Sequence, residues 1–100
     1  MLVLRVLQSG PTHGYAIAQR IHALSSDVLQ VEEGSLYPAL QRILVKGWAK
    51  AEWGLSENNR KARYYSLTRA GKRELTQRQA SWTVYADAVF KVLRATRAGA

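Results

Sequence analysis

From Arg69 to about Arg97 the chain runs without a proline, and Leu75, Trp82, Tyr85, Ala86, Val89, Val92 and Leu93 recur at three- and four-residue steps. That spacing aligns them along one side of a helix. About 29 residues rising 1.5 Å each make a rod of ~43 Å, longer than a small domain is wide. A chain of 100 residues cannot cover such a rod with the rest of itself. Half of the seam would hang in water on a single copy. It is therefore expected to bury against a second copy, with Leu75, Trp82, Tyr85, Val89, Val92 and Leu93 at the interface. Trp82, centred on the seam, is read first as a core residue of that interface. The sharper reading makes it a flat wall for a small aromatic ligand held between protomers.

The segments ahead of this helix are short. Met1 to Gln8 carries Leu2, Val3, Leu4, Val6 and Leu7, and a helix apolar nearly all round is buried on more than one side. Leu4 accordingly joins the expected interface between copies. A helix that starts at the first residue has no cap, which is what natural sequence continuing upstream would leave. Ser9 to Gly14 is a turn around Gly10-Pro11, with Thr12 as the expected N-cap of a second helix from about His13 to Leu24. Val28 to Val31 reads as a short extended piece. A third helix follows, its buried stripe formed by Leu36, Leu40, Ile43 and Leu44 and its end marked by Gly47. Pro38 is tolerated if that helix starts at Ser35 and should kink it if the start lies a turn earlier.

Trp48 to Trp53 and Ala62 to Leu67 read as two strands, with Trp48 and Trp53 packing the hairpin. The polar loop between them holds the turn-forming pair Asn58-Asn59. Thr68 then caps the long helix, and Gly71 in its first turn costs something on helix propensity. The order is mainly α with a small β-hairpin. Three helices closed by a hairpin form a winged helix-turn-helix. The expected organisation is a winged helix-turn-helix DNA-binding domain over residues 1–68 and a C-terminal dimerisation helix over 69–100, forming one compact unit.

Charge gives this scaffold a partner. Fifteen Lys and Arg against seven Asp and Glu leave a formal charge of +8, which on a short chain points to a polyanion. Residues 1–50 hold five basic and three acidic side chains; residues 51–100 hold ten and four. The excess peaks where Arg60, Lys61, Arg63, Arg69, Lys72, Arg73 and Arg78 face Glu74 alone. Arg60, Lys61 and Arg63 lie at the exit of the loop between the strands, the candidate wing, where long cations reach phosphates. On the third helix, the inward stripe leaves Pro38, Gln41, Arg42 and Val45 on the opposite face. Gln41 and Arg42 carry donors suited to adenine and guanine edges. Ser35 and Tyr37 lie at the helix start, where free N–H groups favour a phosphate.

The blocks Gly10-Pro11-Thr12-His13-Gly14-Tyr15, Glu33-Gly34-Ser35-Leu36-Tyr37-Pro38-Ala39-Leu40, Glu52-Trp53-Gly54 and Arg63-Tyr64-Tyr65-Ser66-Leu67-Thr68 with Gly71 resemble the PadR family of bacterial transcriptional regulators. The likeness covers about residues 2–75 and fits the short subtype, with a single C-terminal helix for dimerisation. It implies a homodimeric repressor on an inverted-repeat operator. It also implies Tyr15, Ser35, Tyr37 and Pro38 at the DNA backbone and Arg60, Lys61 and Arg63 in the wing. Release by a small aromatic effector is a further implication, with Trp82 as the residue to test. Glu32 departs from the pattern, which usually has a small polar residue there. Two acids at the start of a DNA-facing helix would repel phosphate, unless they cap the helix instead.

No cofactor is expected, and no enzyme. The absence of cysteine removes a disulfide scaffold, a thiolate metal site and a Cys nucleophile. His13 and His22, nine positions apart, would point to opposite faces of one helix. No phosphate-binding Gly-rich loop or Ser-His-Asp signature is present. The longest apolar run is far shorter than the ~18–20 residues of a membrane span, and no signal peptide is recognisable. The expected setting is cytoplasmic, without a membrane partner. The alternative reading is a winged helix that binds another protein and no specific DNA.

Overall fold

Leu36, Leu40 and Ile43 turn one side of a helix inward, and the other elements close on that stripe. The computed structural model describes residues 1–95. Their order is α1 (Leu2–Leu7), β1 (Thr12–His13), α2 (Gly14–Leu24), α3 (Glu33–Val45), β2 (Ala49–Leu55), β3 (Lys61–Leu67) and α4 (Arg69–Arg94). The core joins Leu4, Val6 and Leu7 of α1 to Ile17 and Ile21 of α2. The α3 stripe, Ala49, Tyr65 and Leu75 complete it. Among the described residues no polar or charged side chain other than the Tyr65 phenol lies inside, so apolar packing alone defines the interior.

The sheet has three antiparallel strands in the order β1-β3-β2. In β2 and β3, Ala49 faces Leu67, Ala51 faces Tyr65 and Trp53 faces Arg63. The third strand is one the sequence reading missed. Thr12 and His13 pair with Tyr65 and Tyr64, whereas Val28 to Val31, expected to be extended, form no strand. That segment belongs to the α2–α3 connection instead. Ser26 and Asp27 take left-handed backbone there, and the Ser25 hydroxyl accepts from the Leu29 amide at 2.9 Å. The N-cap of α2 also differs from expectation. His13 fills it, its Nδ1 accepting from the Ala16 amide at 3.3 Å, while the Thr12 hydroxyl donates back to the Gly10 carbonyl.

α3 starts at Glu33, earlier than the start that would suit Pro38. The missing Pro38 N–H leaves the Gly34 carbonyl without its intrahelical donor, but Gly34 is exposed, where water is at hand. The helix continues through Pro38 to Val45 as one element. Its end is a Schellman closure: Gly47 at φ +75°, the Trp48 amide bonded to the Ile43 carbonyl and the Gly47 amide to that of Leu44. These bonds satisfy carbonyls that would otherwise be left open.

The junction that follows explains Gly71. The Thr68 hydroxyl donates to the Gly47 carbonyl at 2.6 Å and accepts from the Gly71 amide at 3.0 Å, capping α4. The Thr68 amide bonds the Trp48 carbonyl. α4 thus starts so close to Trp48 that a Cβ on Gly71 would collide with the Trp48 carbonyl oxygen and lie 2.8 Å from Leu67 Cδ1. The propensity cost of glycine at this position is the cost of the close approach.

Beyond its first two turns α4 leaves the body, and the described chain measures 61 × 28 × 22 Å. Its helical residues end at Arg94, with Ala95 in extended backbone; the expected end near Arg97 lies outside the described residues. Two residues assigned to an interface between copies need correcting. Leu4 and Leu75 are each 1% exposed because they close the chain's own core, so neither has surface left for another molecule.

Two substitutions test the junction by urea or thermal unfolding. Gly71→Ala is expected to destabilise by about 2 kcal/mol or more, since the added methyl meets backbone that cannot yield. Thr68→Ala should lose about 1 kcal/mol with the cap. Gly34→Ala, whose Cβ would meet nothing within 4 Å, should instead gain about 0.5 kcal/mol by removing backbone freedom.

Candidate nucleic-acid interface

The outer side of α3 carries Ser35, Tyr37, Pro38, Gln41 and Arg42, all exposed. The helical turn divides them between two flanks. Tyr37 lies on the flank toward α2: its ring packs against Gly14, where an added Cβ would sit 3.5 Å from Cε1. Tyr15 follows Gly14 directly and is exposed, so two phenols stand at this junction, with Gln41 one turn beyond Tyr37. Arg42 lies on the other flank. With Lys46 it lines a cleft of about 190 Å³ shared with Met1, Val3, Trp48 and Arg78. Gln41 and Arg42, expected on one outward face, therefore stand on different flanks of it, Arg42 beside the cleft.

The start of α3 is not an open anion site. Glu32 holds the N-cap position without a side-chain hydrogen bond to the helix, and Glu33 occupies the first turn. The capping role proposed for these acids is therefore not supplied by the Glu32 carboxylate. Two carboxylates thus stand beside the free amides of the first turn, where the helix dipole favours negative charge.

The wing is braced from three sides. Its turn closes through the Ser56 amide on the Arg60 carbonyl and the Asn59 amide on the Ser56 carbonyl, both at 2.8 Å. Asn59 adopts φ +56°, the left-handed state that asparagine tolerates better than most residues. Tyr64 lies over Gly54, whose absent Cβ would come within 3.1 Å of the ring, and its hydroxyl donates to the Leu55 carbonyl at 3.0 Å. His13 meets the same ring edge-on, 5.5 Å between centroids. On this frame Arg60, Lys61 and Arg63 are all exposed. Among the described residues the only Lys or Arg paired with a carboxylate is Arg78, 2.7 Å from Glu74. Arg60, Lys61, Arg63, Arg69, Lys72 and Arg73 thus form a run of cations with no acid to neutralise them.

The tryptophans do not behave as expected of hairpin packing. Trp48 is half-buried between two cations, Lys46 at 4.8 Å and Arg78 at 5.0 Å from its ring centre, and so belongs to the α3–α4 junction. Trp53 is 65% exposed. Trp82, 55% exposed, forms an open cleft of about 540 Å³ with Met1, Glu74, Gln77, Arg78, Ser81 and Tyr85. Its ring lies 5.5 Å from that of Tyr85. Among the described residues no cluster of His, Asp or Glu is placed to hold a metal, and no helix is long and apolar enough to cross a membrane.

The likeness to known proteins covers these elements together. A PadR family transcriptional regulator from Eggerthella lenta superposes with a TM-score of 0.74 at 31% identity, over 95% of this chain and 83% of that one. A Lysinibacillus sphaericus protein designated X is 30% identical over 81% of this chain and 74% of its own length. A 37.1 kDa protein of transposon TN4556 from Streptomyces fradiae is 44% identical over 80% of this chain, which spans only 21% of that protein. Residues 3–77 match the family model described as the transcriptional regulator PadR-like family. With that match spanning α1 to the first turns of α4, the chain belongs to the PadR-like family of transcriptional regulators.

Proposed function

We propose that the chain represses transcription as a homodimer bound to an inverted repeat in double-stranded DNA. The observation that carries this reading is the uninterrupted set of unpaired cations from Arg60 to Arg73, which begins on the wing and continues onto α4. In this reading residues 1–68 hold the DNA and residues 69–100 hold the second copy. α3 enters the major groove with Gln41 reading a base edge, and Tyr15, Ser35, Tyr37 and Pro38 stand against the backbone. Arg42 serves the flanking phosphate. Arg60, Lys61 and Arg63 grip the duplex from the wing and supply affinity more than sequence choice.

Dimerisation is supported by the exposed side of α4. Trp82, Val89 and Leu93 continue the line that Leu75 begins in the core, with Tyr85 and Val92 beside them, and all five are exposed. Pairing along this line would set two reading helices about one DNA turn, ~34–36 Å, apart. The cleft at Trp82 is where a small aromatic effector would act, since a ligand between protomers alters that spacing. The protein works in the cytoplasm in this reading, where its operator is.

Binding to a duplex from upstream of its own gene, measured across a salt series with scrambled DNA as control, tests the first part. Six phosphate contacts in a dimer should cost roughly a thousandfold in affinity between 50 and 200 mM salt. Arg60→Ala with Lys61→Ala should flatten that dependence sharply. A chain that binds both duplexes weakly, with a shallow dependence, would instead be a protein-interaction module. Val89→Asp with Leu93→Asp should convert the dimer to a monomer in sedimentation while leaving the far-ultraviolet dichroism of the body intact. Quenching of Trp82 emission by an added aromatic compound, together with loss of DNA binding, would establish the effector.

A further inference from the structure

The hairpin has a feature that its cations alone do not explain. Ala49 and Ala51 of β2, with Tyr65 and Leu67 opposite them, lie toward the core. Side chains two apart on a strand share a face, so the same face continues outward as Trp53 and Leu55, with Arg63 and Lys61 as their cross-strand partners. There the helical body no longer covers it. Trp53 is 65% and Leu55 67% exposed. Lys61 Nζ stands 5.4 Å from the centre of the Trp53 ring, and Arg63 Cζ 5.7 Å from that of Tyr65. The acids are kept off this surface: Glu52 is on the opposite face, across from Tyr64, and Glu57 is in the turn.

The geometry points to Trp53 and Leu55 as an apolar wedge that the wing sets against the sugar wall of the DNA minor groove, with Lys61 and Arg63 on the adjacent strand β3 held on the phosphates that border it. This rests on the wing being the DNA-facing part of the molecule. The chemistry selects the occupant. A protein partner apolar enough to cover the indole would strand Lys61 and Arg63 without counter-charges, a costly desolvation. A duplex offers both matching surfaces, since apolar deoxyribose edges line a groove bordered by phosphates, and apolar side chains enter it readily. The minor groove, ~6 Å wide, admits single side chains but no hairpin, so the contact falls to the two residues that overhang. The cation–π contacts hold Lys61 beside the indole before DNA arrives, which lowers the ordering cost on binding.

The test uses the full chain and an end-labelled random-sequence duplex of about 30 base pairs, with affinity followed from about 50 mM salt upward. Trp53→Ala should weaken binding about tenfold through lost apolar contact while leaving the salt dependence unchanged, because no charge is removed. Lys61→Ala should weaken binding too, but with a shallower salt dependence, because a phosphate contact is lost. Trp53→Phe should keep most of the affinity and lose most of the quenching of tryptophan emission that DNA causes in the unaltered chain. Each variant should melt like the parent, since the site is exposed. Equal affinity and equal quenching in the parent and the Trp53 variants would overturn the wedge and leave the DNA-binding reading intact. Failure of the parent chain to bind the duplex would overturn both. Binding to anionic phosphatidylglycerol vesicles that needs Trp53, with DNA binding that does not, would assign the wedge to a lipid surface and also overturn it.

Discussion

The close approach of α4 to the start of β2 is the constraint on which the remaining geometry depends. Thr68 is bonded to the Gly47 and Trp48 carbonyls at once, and Gly71 lets the helix come down onto Trp48. The end of α3, the root of the hairpin and the first turn of α4 therefore meet at one point. Lys46 and Arg78 closing on the two sides of Trp48 extend the same contact with longer side chains. Through these few atoms α4 is joined to the end of α3 and to the base of the wing.

The second organising element is a line of apolar residues that starts inside and ends outside. Leu75 is sealed in the core, and from Trp82 onward the same side of α4 is open. The exposed half of the line is thus continuous with residues packed in the body. The cleft at Trp82 sits where these two halves meet, beside Met1 and the Glu74–Arg78 pair. Apolar area, a flat ring and fixed charge are all present there within a few residues of the junction.

The helices, the hairpin and their order were legible because each has a local cause: the stripe of α3, the left-handed close at Gly47, and the run without proline after Thr68. The short strand at Thr12–His13 was not legible. Its pairing partner, β3, is some fifty residues away, and two residues carry no periodicity. Its loss from the reading misplaced the cap, since a histidine Nδ1 rather than a threonine hydroxyl accepts the α2 amide. Leu4 and Leu75 were assigned to an interface because spacing identifies a face without showing how far the body extends along it. Gln41 and Arg42 looked alike on a helical wheel, yet one flank borders α2 and the other the Met1–Trp48 cleft, a distinction made only by tertiary packing. Trp53 reads as hairpin packing from its place on a strand; the register with Arg63 places it past the end of the core.

The strand order β1-β3-β2 has a consequence for how the sheet meets its surroundings. β3 lies inside the sheet, and β1 covers it along only two residues, so β2 presents a seven-residue outer edge with open amides and carbonyls. Such edges invite strand-by-strand growth into fibrils. Lys50 and Glu52 interrupt this one with charge, and Gly54 lowers its tendency to stay extended. The apolar side of α4 and the open edge of the sheet thus carry different chemistry, one uncharged along its line and the other broken by Lys50 and Glu52.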